Sequence, residues 1–399
     1  MIMISRLRLH PTILLMASAH LMVDGYANIY APMLPILIPR LGLSLAAAGT
    51  LTMLFQMAAS VAQVGFGNLA DQWRPRTLIT IGPIVSVAIL SLIGLATSRV
   101  MLACILIVGG LGAAAFHPPA AALAHRLGGD RRGLAMSVYI TGGTLGFSLG
   151  PLFFAPFAER FGLQWTPLLA LPGLAVVAFF IHRVPEIPLH PSTSRGFAAL
   201  RPYAKPLALL YTIVVLRTLA SLTFATFVPV MLTRRGMSVG EAGASVAAYL
   251  FGSGVGGFFG GPIADRFGAR AVIALSLVVS TPFLFVAPFL SGWMFVVVLA
   301  IGGLFLQSTL PVNVTFGQSL APVSAATVSS LMMGFAWGTG GLSVPFVGMI
   351  ADRIGIEHTL VGVSLIPLAA AACALPLPAR ASAHVPPQPA DVVIPETGR

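Results

Sequence analysis

Apolar stretches long enough to cross a bilayer recur along the chain at about residues 12–39, 44–69, 77–97, 100–124, 133–156 and 164–182. After a polar break they resume at about 206–232, 239–263, 270–290, 293–318, 325–350 and 359–379. A helix needs roughly 20 apolar residues to span the hydrocarbon core, and along such a run a helix satisfies its own backbone without water. The pattern predicts an all-α integral membrane protein with twelve transmembrane helices in two groups of six. Between the groups, residues 183–205 carry Arg183, Glu186, Arg195, Arg201 and Lys205 among prolines, which reads as a polar linker. The expected domains are 1–182, an N-terminal six-helix bundle; 183–205, a cytoplasmic linker; 206–379, a C-terminal six-helix bundle; and 380–399, a Pro- and Ala-rich disordered tail.

The two groups repeat each other. Gly67-Asn-Leu-Ala-Asp71 returns 194 residues later as Gly261-Pro-Ile-Ala-Asp265. At an offset of 193, Ala158-Glu-Arg-Phe-Gly162 returns as Ala351-Asp-Arg-Ile-Gly355, and Pro118 and Leu127 return as Pro311 and Leu320. Separated matches at nearly one offset make the halves parallel repeats about a pseudo-twofold axis along the membrane normal. Proteins built this way place a substrate site between the halves near mid-membrane.

Composition mainly closes off alternatives. A chain of 57% hydrophobic and 8% charged residues, with mean hydropathy +0.94, is not a soluble domain. Its net charge of +11 comes almost wholly from arginine in short loops between apolar runs, so it signals topology and no nucleic-acid partner is expected. With both termini in the cytoplasm, fifteen of the 22 Lys and Arg lie inside and six outside; Arg217 is the remaining one. Arg6, Arg8 and Ala17-Ser18-Ala19 imitate a signal peptide, yet the apolar run continues to Pro39 and more membrane follows, so cleavage is not expected. Cys104 and Cys373 sit inside apolar runs, with neither disulfide nor metal spacing, and no metal site is expected.

The chemistry concentrates in Ala19-His20-Leu21-Met22-Val23-Asp24-Gly25. His20 and Asp24, four residues apart, share one face of the first helix. A charge near mid-bilayer costs roughly 3 kcal/mol on insertion scales, so such residues face a cavity or a partner. Counting depth from each helix centre puts His117 of the fourth helix level with His20, both ~7.5 Å on the cytoplasmic side of the midplane. Asp24 plus 194 is 218, so Arg217 lies one position from the repeat partner of Asp24 and at its depth. Two histidines level with each other, and a carboxylate level with an arginine, are therefore expected. Tyr26, Asn28, Gln56, Tyr139, Thr144, Gln307, Asn313 and Trp337 are the other polar or aromatic residues within membrane runs that could line a cavity. Glu159 and Asp352 fall at outer loops as repeat partners and suit gate contacts.

The loops Gly67-Asn-Leu-Ala-Asp-Gln-Trp-Arg-Pro-Arg76 and Gly261-Pro-Ile-Ala-Asp-Arg-Phe-Gly-Ala-Arg270 resemble the loop signature of the major facilitator superfamily. The second copy is nearly complete. The first departs from it, with Gln72 where an arginine is usual and Arg74-Pro75 where glycine and arginine are usual. The resemblance implies the major facilitator fold and a gating motif of Gly67, Asp71, Arg76, Gly261, Asp265, Arg266 and Arg270. A carboxylate at a helix end can hold the N-terminus of a neighbouring helix in one conformation and bias a two-state gate. Gly146-Phe-Ser-Leu-Gly150-Pro151 is similar to the helix-bend signature of antiporter branches.

His20 with Asp24, Phe116-His117-Pro118, the 128–137 loop and Arg217 together resemble the fosmidomycin-resistance family within that superfamily. Pro119, where an acidic residue is usual, is a departure. What the resemblance implies is a proton-coupled secondary transporter in a bacterial inner membrane, monomeric, with no cofactor beyond protons as the coupling ion. It would export small polar or anionic drug-like molecules by alternating access. Asp24, His20 and His117 would handle the proton. Arg217, with Tyr26, Asn28, Gln56, Tyr139, Gln307, Asn313 and Trp337, would bind substrate. A proton-coupled importer of a small organic anion fits the same residues. An enzyme would need a nucleophile, metal or phosphate-binding constellation, and no paired loop motif or Gly-Lys-Ser/Thr sequence is present.

Overall fold

The computed structural model describes residues 10–72, 75–128, 132–184, 197–321 and 325–378. Most of the expected linker, the 129–131 loop and the 380–399 tail lie outside the described residues, as does the Asp71 side chain. Twelve helices long and apolar enough to span a membrane follow in order. They are α1 (Pro11–Leu41), α2 (Leu45–Gly67), α3 (Pro75–Leu95), α4 (Arg99–Leu127), α5 (Leu134–Phe161) and α6 (Leu163–Arg183). Then come α7 (Leu200–Arg234), α8 (Val239–Phe267), α9 (Ala269–Phe289), α10 (Gly292–Leu320), α11 (Thr327–Ile354) and α12 (Ile356–Ala374). No strand occurs among the described residues.

Local chemistry sets the helix ends. Ser44 and Ser98 accept from the backbone N–H of Ala47 and Met101, and Ser238 with Glu241 forms a capping box at the start of α8. The repeat seen in the sequence recurs in the backbone. Gly162 closes α5 at φ 89° and ψ 157°, and Gly355 closes α11 at φ 88° and ψ 157°, a left-handed turn that favours glycine.

Proline breaks two of the helices where polar side chains gather. α1 is interrupted at Asn28–Ile29 and α10 at Ser308. Pro32 and Pro311 each lack the N–H that would bond four residues back, and each ring crowds that carbonyl, at Asn28 and Gln307 respectively. π-turns at Met57–Val61 in α2 and Ser330–Phe335 in α11 meet across the α2/α11 contact.

α1 packs chiefly on α5 and α3 on α4, while α8 and α9 pack on α10 and α12 packs on α7 and α9. Gly142, Gly146 and Gly150 of α5 lie against backbone carbonyls of Ala17, Leu21 and Gly25, leaving no room for a side chain. Gly146 and Gly150 thus hold α1 and α5 together. Across the two groups of six, contacts run from α5 to α8, α2 to α11 and α1 to α7. Large apolar side chains such as Phe153, Trp293 and Phe267 point outward, as a lipid-facing surface requires.

Candidate functional site

Asp24 stands between two imidazoles. His20 Nε2 lies 3.1 Å from Asp24 Oδ2, and His117 Nε2 lies 3.3 Å from Asp24 Oδ1. The histidine rings are 5.0 Å apart, in keeping with the equal depth expected of them. All three residues are largely buried; His117 is the most accessible, with 21% of its side chain exposed.

Helix α5 fixes the geometry. His20 Nδ1 lies 2.8 Å from the Tyr139 carbonyl oxygen, which only accepts, so Nδ1 carries the proton and donates it. The Tyr139 ring stacks on His20 at 4.2 Å, 24° from parallel. In a neutral His20, Nε2 is then a bare lone pair facing a carboxylate oxygen. That contact requires a cation in the gap, either an added proton or another positive ion. No sequence motif signals this tautomer constraint, because it comes from a backbone carbonyl 119 residues away.

Gly143 is the second feature that sequence reasoning missed. A Cβ there would press on Asp24 Oδ2 and His20 Nε2 together. Gly143→Ala is expected to part His20 from Asp24, at an overpacking cost of about 1–3 kcal/mol. Thermal unfolding and transport rate, measured together, check it; wild-type values in both would show that the gap tolerates a methyl group.

A second polar cluster occupies the corresponding helices of the other half. Arg217 of α7 is fully buried. Its Nη1 donates to Gln307 Oε1 and its Nη2 to Thr218 Oγ1, the latter at 3.2 Å, and the guanidinium lies 5.4 Å over the Trp337 ring. Gln307 in turn donates to Ser221 Oγ at 3.0 Å. Arg217 Nε is buried with no hydrogen-bond partner among the described residues. Asp24 and Arg217, expected at one depth, do not pair: Asp24 is held by the histidines, and Arg217 by Gln307, Thr218 and Trp337. Equal depth did not bring them into contact, because depth says nothing of the distance across a cavity.

The remaining residues scatter. The Tyr26 hydroxyl donates to the Leu169 carbonyl and its ring packs on Phe154, so it serves the packing of α1 on α6 rather than a cavity. Asn28 donates to the Phe147 carbonyl at 2.9 Å, tying the break in α1 to α5. Gln56 donates to Ser60 Oγ at 2.6 Å beside the π-turn of α2, against Gly341 of α11. Asn313 is buried with both amide atoms unpartnered among the described residues. Thr144 abuts Gly254 of α8.

In the gating loops, Gly67 passes close to Pro118 and Arg76 opens α3. Arg270 donates to the Leu377 carbonyl at 3.2 Å. Asp265 is exposed and makes no ion pair among the described residues, and Arg266 stacks on Phe267. At the opposite end the repeat-related carboxylates are engaged. Glu159 accepts from the backbone N–H of Val239 and Gly240 at 3.0 and 2.8 Å, at the start of α8. Asp352 accepts from Leu45 and Ala46 at 2.9 and 3.0 Å, at the start of α2. Two carboxylates thus cap helices of the opposite half. A cleft of about 400 Å³ between the starts of α7 and α11, lined by Leu207, Leu331 and Phe335, holds none of these groups.

The family model described as Major Facilitator Superfamily matches residues 16–238 and 210–390. The chain belongs to the major facilitator superfamily. Among superfamily relatives, it is 29% identical over 377 residues to the uncharacterized MFS-type transporter YfnC of Bacillus subtilis, covering 90% of this chain and 91% of that one. It is also 29% identical over 368 residues to the fosmidomycin resistance protein of Escherichia coli, covering 88% of each. The fold matches superfamily structures: a bacterial homolog of the human lysosomal transporter Spinster, in an inward-facing and occupied conformation, aligns with TM-score 0.75 at 19% identity over 91% of this chain and 95% of that chain. The nucleoside transporter NupG aligns with TM-score 0.74 at 14% identity over 92% and 99%. The protein is therefore a multi-pass membrane transporter rather than an enzyme.

Proposed function

We propose that this transporter is proton-coupled and exports small polar or anionic molecules by alternating access, from a bacterial inner membrane with both termini cytoplasmic. One observation carries the reading: opposite charges occupy equivalent helices of the two halves. A carboxylate clasped by two imidazoles lies in α1, α4 and α5, and a buried guanidinium with no carboxylate partner among the described residues lies in α7, α10 and α11. The cation needed between His20 Nε2 and Asp24 Oδ2 is, on this reading, the transported proton. His117, the more exposed imidazole, passes it to the cavity. Arg217, with an unpartnered Nε and the Trp337 face, takes the anionic group of the substrate.

Coupling then works through charge across the cavity. An ionised Asp24 attracts an empty Arg217 site, and this attraction favours closing the halves upon each other. A proton on the first cluster or an anion on the second removes that attraction, so each ligand alters the equilibrium the other depends on. Everted membrane vesicles with an imposed proton gradient test the reading. Substrate-triggered proton efflux is expected, with fosmidomycin, which names one relative, among the first compounds tried. Substrate-triggered proton uptake would identify an importer, and substrate binding without proton movement would remove the coupling assignment.

We place the Glu159/Asp352 end at the outer face, where both carboxylate caps keep it closed in this structure. A cap contributes about 0.5–2 kcal/mol, and exposure holds each of these near the low end, about 1 kcal/mol. Glu159→Gln and Asp352→Asn are each expected to raise the outward-open population about fivefold. Distances between spin labels at Gln164 and Arg234, in a cysteine-free background, would report it; unchanged distances in the double variant would reject the latch.

A further inference from the structure

We propose that His20, Asp24 and His117 form a binding site for one first-row divalent cation of the zinc class. The argument is geometric and goes beyond the proton reading without resting on it. One imidazole nitrogen from each histidine and a carboxylate oxygen lie within 4.8 Å of one another. Bonds of ~2.1 Å set neighbouring donors roughly 3.0 Å apart at right angles and roughly 3.4 Å apart at the tetrahedral angle. The two nitrogen–oxygen gaps, 3.1 Å from His20 to Oδ2 and 3.3 Å from His117 to Oδ1, fall between those values, so each oxygen of the carboxylate faces one imidazole. Two imidazoles and one carboxylate form a borderline donor set that suits zinc, cobalt, nickel or ferrous ions rather than calcium or magnesium.

The surroundings are those of a prepared ligand set. A metal-binding histidine ordinarily donates its other ring N–H to a carbonyl or carboxylate, which fixes the tautomer and aims the free lone pair at the metal. His20 does this: Nδ1 donates to the Tyr139 carbonyl at 2.8 Å, and Nε2 faces Asp24. The Tyr139 ring stacked at 4.2 Å keeps the imidazole from turning. Gly143 leaves the space beside Nε2 and Oδ2 free of any side chain. His117, with 21% of its side chain exposed, gives the site an entrance and room for water to complete the coordination shell. Among the described residues no arginine or lysine pairs with Asp24, so its charge is available to a dication. The sequence did not suggest a metal because His117 stands 93 positions from Asp24, outside any ligand-spacing motif.

Cobalt(II) is the probe, because its visible ligand-field bands report coordination directly. The full chain, purified in detergent with any affinity tag removed, is titrated with Co²⁺ and then with Zn²⁺. The expected result is one Co²⁺ per chain, with bands of a four- or five-coordinate site that Zn²⁺ abolishes. His20→Ala and His117→Ala are each expected to weaken binding by more than about 100-fold, since even changes outside the coordination shell cost 10–100-fold. His125→Ala, at the exposed end of α4, leaves binding unchanged. Wild-type protein showing only the spectrum of hydrated Co²⁺, or alanine variants binding as wild type does, would overturn the proposal. If the alanine variants fail to fold, X-ray absorption of the Co²⁺-loaded wild type decides: two imidazoles and no sulfur support the site, and fewer than two imidazoles overturn it. A chain that binds Co²⁺ but moves no protons refutes the coupling proposal alone; a chain that moves protons and binds no Co²⁺ refutes this one alone.

Discussion

Asp24→Asn is expected to fold normally and to lose at least about 99% of its proton-driven transport. The side chain keeps its shape, and its amide suits both neighbours. The Asn Nδ2 can donate to the His20 lone pair that the Tyr139 carbonyl fixes at Nε2, and the Asn Oδ1 can accept from a protonated His117 Nε2. No buried donor or acceptor is left unpaired, so the usual cost of about 1–3 kcal/mol for a lost partner does not arise. What disappears is the group that can take up and release a proton. Downhill substrate exchange between vesicle compartments, which needs no net proton movement, should fall only a few-fold. Asp24→Ala, which strands both imidazoles, should lower thermal stability as well. Wild-type rates of gradient-driven transport in Asp24→Asn would move the coupling proton elsewhere and leave the triad to a structural or metal-binding role.

Much of this site was legible before any coordinates, and the limits of that legibility are physical. The His20–Asp24 pair follows from helical periodicity alone, since four residues return to one face. His117 joins them because depth counting in two membrane helices shares a common ruler, the bilayer. The same counting set Arg217 level with Asp24 but could not say how far apart the helices stand. Each group found a partner in its own half instead. Tyr26 shows the matching limit. It lies only two residues from Asp24, yet that step turns it to the far face of α1, against α6. What one sequence withholds is backbone chemistry between distant segments: the Tyr139 carbonyl behind His20, and the absent side chain of Gly143.

The fold was the more readable part, because apolar length and the 193–194 offset carry it. The twelve spans match the apolar runs to within a few residues at most ends; α7 starts earlier, at Leu200. The repeat predicts more than topology. Glu159 and Asp352, matched by offset, make the same contact in the two halves, each capping a helix of the other. Asp265, the carboxylate of the second loop motif, makes no ion pair among the described residues. A carboxylate at a helix end can make its contact in one conformation of a two-state element and lose it in the other.

Arg217→Ala is expected to weaken binding of anionic substrates by about 10–150-fold while changing neutral compounds little. A hydrogen bond to a charged group contributes about 1.5–3 kcal/mol, and each 1.4 kcal/mol is tenfold in affinity. Among the described residues the buried guanidinium has no carboxylate within ion-pair distance, and its Nε has no acceptor. A buried charge left in that condition is costly unless something negative arrives. Gln307, Thr218 and Trp337 orient the group without neutralising it, which is what a site awaiting an anion needs. Arg217→Lys should recover part of the affinity, since it restores the charge but not the planar fork. Equilibrium binding in detergent, with paired anionic and neutral compounds, separates this from a packing role. A structural arginine would lower thermal stability in Arg217→Ala and leave the ratio of anionic to neutral affinity untouched. A loss confined to the anions, at near-normal stability, assigns the charge to substrate. Gln307 then becomes the next residue to replace, because its carboxamide both holds Nη1 and reaches Ser221, so its loss should misdirect the guanidinium without removing it.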